Sequence, residues 1–253
     1  MDYQKYIIEL YKESIVFKIL IVMILCILLI RIYKKRTESF KMNDQLDIYD
    51  QLSDTFKINY EISKLNIPLQ SKILDIECST GQYVHKMSMQ GYQIEGIDSK
   101  KKNIDYCLKK YSYPFKLYTS SYLPQTFDVI LCMNLSIYKV KSIDNLIQKV
   151  YDWLKSGGYL YVYCVDDLKP LFKKKYNINQ IKKYDPKLTQ ITNIEYSLKE
   201  YIESNHQHYY YETPLYFYSK NEIMSIAKQY GFIVQTMIKL NKNEFIYMLK
   251  KPN

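Results

Sequence analysis

Glycine is scarce in this chain, with six among 253 residues. No G-x-G-x-x-G turn can be found, and without that fingerprint a nicotinamide-dependent dehydrogenase is not expected. The five cysteines (Cys26, Cys78, Cys107, Cys132 and Cys164) include no C-x-x-C pair. An odd, scattered set does not make a disulfide framework and suits a reducing compartment. Histidine occurs three times. His206 and His208, at i and i+2 on an expected strand, share a face, but a zinc site needs further ligands that the sequence does not offer.

Tyrosine, by contrast, is abundant, with 29 copies. Lys, Ile and Asn are also frequent, and a genome biased toward A and T accounts for all four. The apolar fraction of 47% suits a globular protein rather than a disordered one. The formal charge of +10 allows a nucleic-acid partner or an anionic membrane surface. The lysines are spread along the chain, which favours a solvated surface over nucleic acid.

The run ILIVMILCILLI, Ile19 to Ile30, is unbroken and apolar. Extended upstream past Lys18 to Ser14, it reaches the roughly 20 residues that a bilayer core requires. Arg31, Lys34, Lys35 and Arg36 follow at once. The alternative is a buried core helix, but the basic stop and the polar stretch after it favour one transmembrane helix at about 14–33. The basic cluster orients the C-terminal domain to the cytoplasm, as in a single-pass membrane protein. No small-residue cleavage site follows the run. The expected organisation is an anchor over 1–36, a linker and leading helices over 37–70, and the main domain over 71–253.

Along the main domain, strand and helix patterns alternate. KILDI (72–76), QIEGI (93–97), Phe115 to Thr119, FDVILCM (127–133) and YLYVYCV (159–165) read as strands, with helical stretches between them. That order predicts a doubly wound, mostly parallel sheet with helices on both faces. Thr192 to Glu203 and His206 to Glu212 alternate around Ser204-Asn205 and predict an antiparallel hairpin, inserted over about 167–218. Ser219 is the expected N-cap of the helix Lys220 to Tyr230, and two final strands follow.

In such a sheet, ligands sit beyond the C-terminal ends of the strands, where strand order reverses. Asp75-Ile-Glu77-Cys78-Ser79-Thr80-Gly81 and Asp98 lie at two such ends. KILDIECSTGQYV resembles the first motif of class I S-adenosylmethionine-dependent methyltransferases, and IEGIDSKKKNIDYC resembles the second. LPQTFDVILCMNLSIY and VYDWLKSGGYLYVY are similar to the fourth-strand motif and the helix-turn-strand after it. Each motif alone is common; the four in order, from about Asp47 to Lys251, are specific. The insertion and the ending FIYMLKKP also resemble methyltransferase-like proteins of large DNA viruses.

The resemblance implies a Rossmann-like α/β fold with a seven-stranded, mostly parallel sheet, and S-adenosylmethionine as cofactor. Asp75 would hold the methionine end, Gly81 would allow close approach, and Asp98 would bind the ribose hydroxyls. Thr119 would lie beside the adenine, Asn134 near the transferring methyl, and Tyr49 over the cofactor. His206 and His208 are candidates for a base or for acceptor contacts, or else belong to a solvated face. Glu77 and Ser79 stand where the family's turn has glycines. That departure motivates an alternative, a catalytically inactive binding or scaffold module. Methyl transfer chiefly needs alignment and exclusion of water, so no single residue stands out as catalytic. Tethering favours a lipid-like, quinone-like or membrane-protein acceptor; an RNA methyltransferase is a further reading of the basic charge.

Overall fold

The structure, a computed structural model, describes residues 21–32, 46–48, 50, 55–119, 126–172, 181–204 and 207–253. The chain divides into two units, Met1–Gln45 and Leu46–Asn253. In the first unit, residues 21–32 form a helix, α1, whose apolar side chains are exposed. Twelve helical residues rise about 18 Å, short of the ~30 Å hydrocarbon core. Among the described residues no helix is long and apolar enough to cross a membrane. The upstream half of the expected span, Ser14 to Leu20, lies outside the described residues.

In the second unit, KILDI forms β1 (Lys72–Ile76) and FDVILC forms β4 (Phe127–Cys132). Ile73, Leu74 and Ile76 in β1 and Phe127 and Val129 to Cys132 in β4 are buried, the pattern of strands covered on both faces. With β2 (Gln93–Asp98), β3 (Phe115–Leu117), β5 (Leu154–Val165), β9 (Ile233–Lys239) and β10 (Glu244–Lys250) they make a seven-stranded sheet of order β3-β2-β1-β4-β5-β10-β9. β10 runs antiparallel to both β5 and β9, and the pairs among β1 to β5 are parallel. The order reverses between β1 and β4, which opens the crevice at their C-terminal ends.

Helices α2 (Thr55–Lys64), α3 (Gln82–Met89), α4 (Lys101–Lys110), α5 (Ile143–Trp153) and α6 (Lys220–Gln229) accompany the sheet. α5 buries Ile143, Leu146, Ile147 and Val150, one face of a helix by spacing, and Ser142 caps its start. α6 opens on a capping box between Ser219 and Glu222. From the leading segment, Leu46, Ile58, Ile62 and Leu65 enter the core of this unit.

Two expectations are corrected. The insertion holds the expected hairpin, β7 (Glu195–Ser204) with β8 (Gln207–Tyr216), but extends it to a three-stranded antiparallel sheet with β6 (Ile181–Gln190) beside β7. The additional strand, IKKYDPKLTQ, carries Pro186, which disguises it. β6 lies at the edge of its sheet, where a missing N–H is tolerated. β5, meanwhile, starts at Leu154, ahead of the glycine pair, and its pairing with β4 shifts between Phe127 and Val129. Gly157 takes φ +77 inside this bulge, and its N–H donates to Lys251 O at 3.0 Å.

Candidate active site

The turn that ends β1 alternates in conformation. Glu77 and Ser79 both hold φ +53, and Gly81 holds +75. These are left-handed positions that favour glycine. The two side-chain-bearing residues therefore follow a backbone suited to glycine. The turn is pinned from several sides. Cys78 N–H donates to Ile97 O at 3.0 Å. Ser79 N–H donates to Asp98 Oδ2 at 2.9 Å, and Cys107 Sγ to Ser79 O at 3.2 Å. Ser136 Oγ, after β4, lies 3.4 Å from Glu77 O.

Gly81 has a second reason to be glycine. A Cβ there would stand 2.8 Å from the Phe115 ring and 3.1 Å from Cys107 Sγ. Bare backbone at this position lets the turn seat against β3 and α4. The N-terminus of α3 follows, with its unpaired N–H groups and positive pole toward the crevice.

Three acids gather here. Asp75 is 2% exposed and Asp98 1%. Asp98 Oδ1 also accepts from Lys100 N–H at 2.8 Å, so each carboxylate oxygen braces a backbone amide. Asp75, on the neighbouring strand, makes no hydrogen bond through its carboxyl among the described residues. Burial, and then the charge of Asp98, push it up to about 8, with Lys139 acting in the opposite direction. Glu77 is raised by burial and by Asp98, while a hydrogen bond from Ser99 Oγ (3.1 Å) and the charges of Lys139 and Lys100 oppose the shift. Lys139, at the end of the 3-10 turn Ser136–Lys139, is the cation shared by Asp75 and Glu77. Sequence reading had not singled it out.

A second polar network lies on the same side. Glu244 Oε2 accepts from Lys57 Nζ and from Tyr163 Oη, each at 2.5 Å, and Glu244 Oε1 accepts from Asn241 at 2.7 Å. Burial alone would raise Glu244, but these partners bring it below the ordinary range. Glu61, 1% exposed, accepts from Tyr83 Oη, and burial raises its pKa. Asp75 and Glu61 both oppose ionisation of Tyr83, which links this network to the acid cluster.

The remaining candidates separate. Thr119 is exposed just past β3, and Asn134 is exposed after β4 with φ +56. Tyr49 and His206 lie outside the described residues. Tyr49's neighbours, though, are tied down over α3 and α4. Asp50 accepts from Gln82 Nε2 at 2.5 Å and pairs with Lys110, and Asp47 accepts from Tyr106 Oη at 2.8 Å. His208 is exposed on β8, its Nδ1 2.7 Å from Tyr201 Oη. Strand alternation puts Tyr209 and Tyr211 on the opposite face, packed with Ile202 and Ile48. The insertion meets the 3-10 turn after β4 where the Tyr138 and Phe217 rings stack at 5.9 Å.

A family model described as a methyltransferase domain matches residues 50–236. The chain belongs to that family. Ubiquinone biosynthesis O-methyltransferase of Vibrio cholerae serotype O1 is 27% identical over 114 residues, 42% of this chain and 46% of that protein. The protein of the same name from Pelagibacter ubique is 30% identical over 112 residues, 41% of this chain and 46% of its own. The chain thus spans about half the length of the curated relatives it matches. Among solved structures, a S-adenosylmethionine-dependent methyltransferase from Clostridium acetobutylicum superposes with a TM-score of 0.66 at 16% identity, over 83% of this chain and 99% of that one. The amino pentose methyltransferase CalS10 from Micromonospora echinaspora, solved with S-adenosylmethionine bound, gives 0.57 at 9% identity, over 87% and 96%.

These likenesses bear out the class I, Rossmann-like fold. Family and fold together place the chain among methyltransferase domains, and of the two solved structures named here one is described as S-adenosylmethionine-dependent and the other holds that cofactor. The relatives named here are bacterial, and the resemblance to viral proteins finds no support in them. The donor set suits the cofactor. A buried carboxyl without a hydrogen-bond partner among the described residues, beside two further acids, matches a ligand bearing a sulfonium, an ammonium and a ribose diol.

Proposed function

We propose that this methyltransferase methylates an oxygen of an amphipathic, lipid-like or quinone-like acceptor at a membrane surface. Its N-terminal segment would tether it there as a single-pass anchor, with the catalytic unit on the cytoplasmic side. The observation that carries the transfer chemistry is the convergence of Asp75, Glu77 and Asp98 at the β1/β4 switch point. The tether is supported by the exposed apolar side chains of α1 and by the basic cluster Arg31, Lys34, Lys35 and Arg36. The choice of acceptor is supported by the curated relatives' names.

In this reading Asp98 receives the ribose hydroxyls, and Asp75 faces the methionine end. Thr119 borders the adenine, and Asn134 stands beside the mouth of β4. The cofactor supplies an electrophilic methyl on a sulfonium. The chain's own residues hold it in line with the acceptor and exclude water. The contrary reading, an inactive scaffold, rested on Glu77 and Ser79. Both hold a left-handed backbone conformation of the kind glycine favours, so the turn's conformation does not argue for inactivity.

The test is transfer from methyl-labelled S-adenosylmethionine into fractionated membranes. Label is expected in the solvent-extractable lipid fraction. Label confined to protein or RNA, or cofactor binding with no transfer at all, would reject this acceptor class.

A further inference from the structure

Glu77 is an unusual occupant of its position. A left-handed φ of +53 disfavours any side chain, least of all tolerating a long charged one without return. Its side chain is half-buried. Oε2 accepts from Ser99 Oγ at 3.1 Å, which brings it beside Asp98 at the end of β2. Asp98 is already committed on both oxygens to the amides of Ser79 and Lys100. Asp75 lies two residues upstream in the same strand and turn.

The charged groups around this cluster come from two elements. Lys139 follows β4 and acts on Asp75 and Glu77. Lys100 and Lys102 belong to the start of α4, Lys100 acting on Glu77 and Lys102 facing Asp98. The thiols of Cys78 and Cys107 are close by, and Cys78 is held protonated by its contact with Cys107 and by burial. No lysine is hydrogen-bonded through its ammonium to Asp75, Glu77 or Asp98 among the described residues.

Methyl transfer changes the charge of what this cluster holds. The S–CH3 bond breaks with its electron pair left on sulfur, the new bond forms to the acceptor oxygen, and that oxygen's proton goes to solvent. The ligand therefore enters as a sulfonium and leaves as an uncharged thioether.

We propose that Glu77 makes the site selective for charge, favouring the sulfonium ligand over its thioether product and so easing product release. This rests on the reading of the chain as a S-adenosylmethionine-dependent enzyme. It assigns Glu77 a role that a glycine at the same position cannot fill.

The experiment is calorimetric titration of the full-length chain, in mild detergent, with S-adenosylmethionine and with S-adenosylhomocysteine. Wild type, Glu77→Gln and Glu77→Gly are compared, and folding of each is checked by thermal melt. Wild type is expected to prefer the sulfonium ligand. In both variants the ratio of the two dissociation constants should fall on the order of tenfold, mostly through weaker sulfonium binding. Titration of wild type in two buffers of different ionisation enthalpy gives a readout that needs no variant. The sulfonium ligand should release more protons on binding than the thioether does. An unchanged ratio in Glu77→Gln, or equal affinity and equal proton release for the two ligands in wild type, would overturn the proposal and leave the enzyme reading intact. Failure of folded wild type to bind either ligand would remove both.

Discussion

Asp98 Oδ2 accepts the backbone N–H of Ser79 at 2.9 Å, so the acid that ends β2 holds in place the turn that ends β1. One carboxylate shapes the site that it also serves. Asp98→Asn keeps an acceptor for one amide and turns an NH2 group toward the other. S-adenosylmethionine affinity should drop by at least about tenfold, and stability by about 1–3 kcal/mol. Calorimetry and urea unfolding measure the two losses. Retention of wild-type affinity would show that Asp98 is a brace alone.

Ser79 offers a test of the strain in that turn. At φ +53, Ser79→Gly removes a conformational penalty of about 1 kcal/mol, partly offset by the freedom of glycine in the unfolded chain. The melting temperature should rise slightly. Ser79→Val, β-branched, should lower it by about 1 kcal/mol or more. The same order in reverse would contradict the left-handed assignment.

Asp75 should leave a mark on stability against pH. Its folded-state pKa of about 8 lies above the ordinary 3.8. The folded protein then retains a proton that the unfolded chain has lost, and stability falls as pH rises from about 4 through 8. Asp75→Asn cannot ionise, so its melting temperature should exceed that of wild type at pH 8.5 and converge with it near pH 4. Each kcal/mol relieved moves Tm by about 2–4 °C for a domain of this size. Parallel Tm curves would mean that Asp75 is already ionised without penalty.

Lys57 neutralises Glu244 from 2.5 Å, with Tyr163 and Asn241 completing the carboxylate's shell. Lys57→Met leaves a nearly buried charge without its cation. About 1–3 kcal/mol should be lost, the ammonium itself being partly solvated. Adding Glu244→Gln should restore part of that loss, and a double-mutant cycle reads the coupling. Additive losses would show that the two side chains are independent.

The parts of the fold legible in sequence are those written locally. KILDI and FDVILC announce buried strands by their short apolar runs, and Ser219 announces the start of α6. Asp98 was legible because an acid closes an apolar strand. β6 was not, since Pro186 and its lysines mimic a loop, and only pairing with β7 makes a strand of them. The tethers Asp47 and Asp50 were equally hidden. Their partners Tyr106, Lys110 and Gln82 lie 59, 60 and 32 residues away, a separation that no periodicity encodes. Lys139 looks like one lysine among many until β4 brings it to the acids.

β10 sits between β5 and β9 although it follows both in the chain. During synthesis β9 therefore emerges with nothing to pair with. The sheet can close only after Glu244–Lys250 has left the ribosome and slotted in. A premature stop within that strand removes two members of the sheet, β10 itself and the β9 it would have held. It also turns β5, a central strand rich in valine and tyrosine, into an exposed edge open to pairing with other chains.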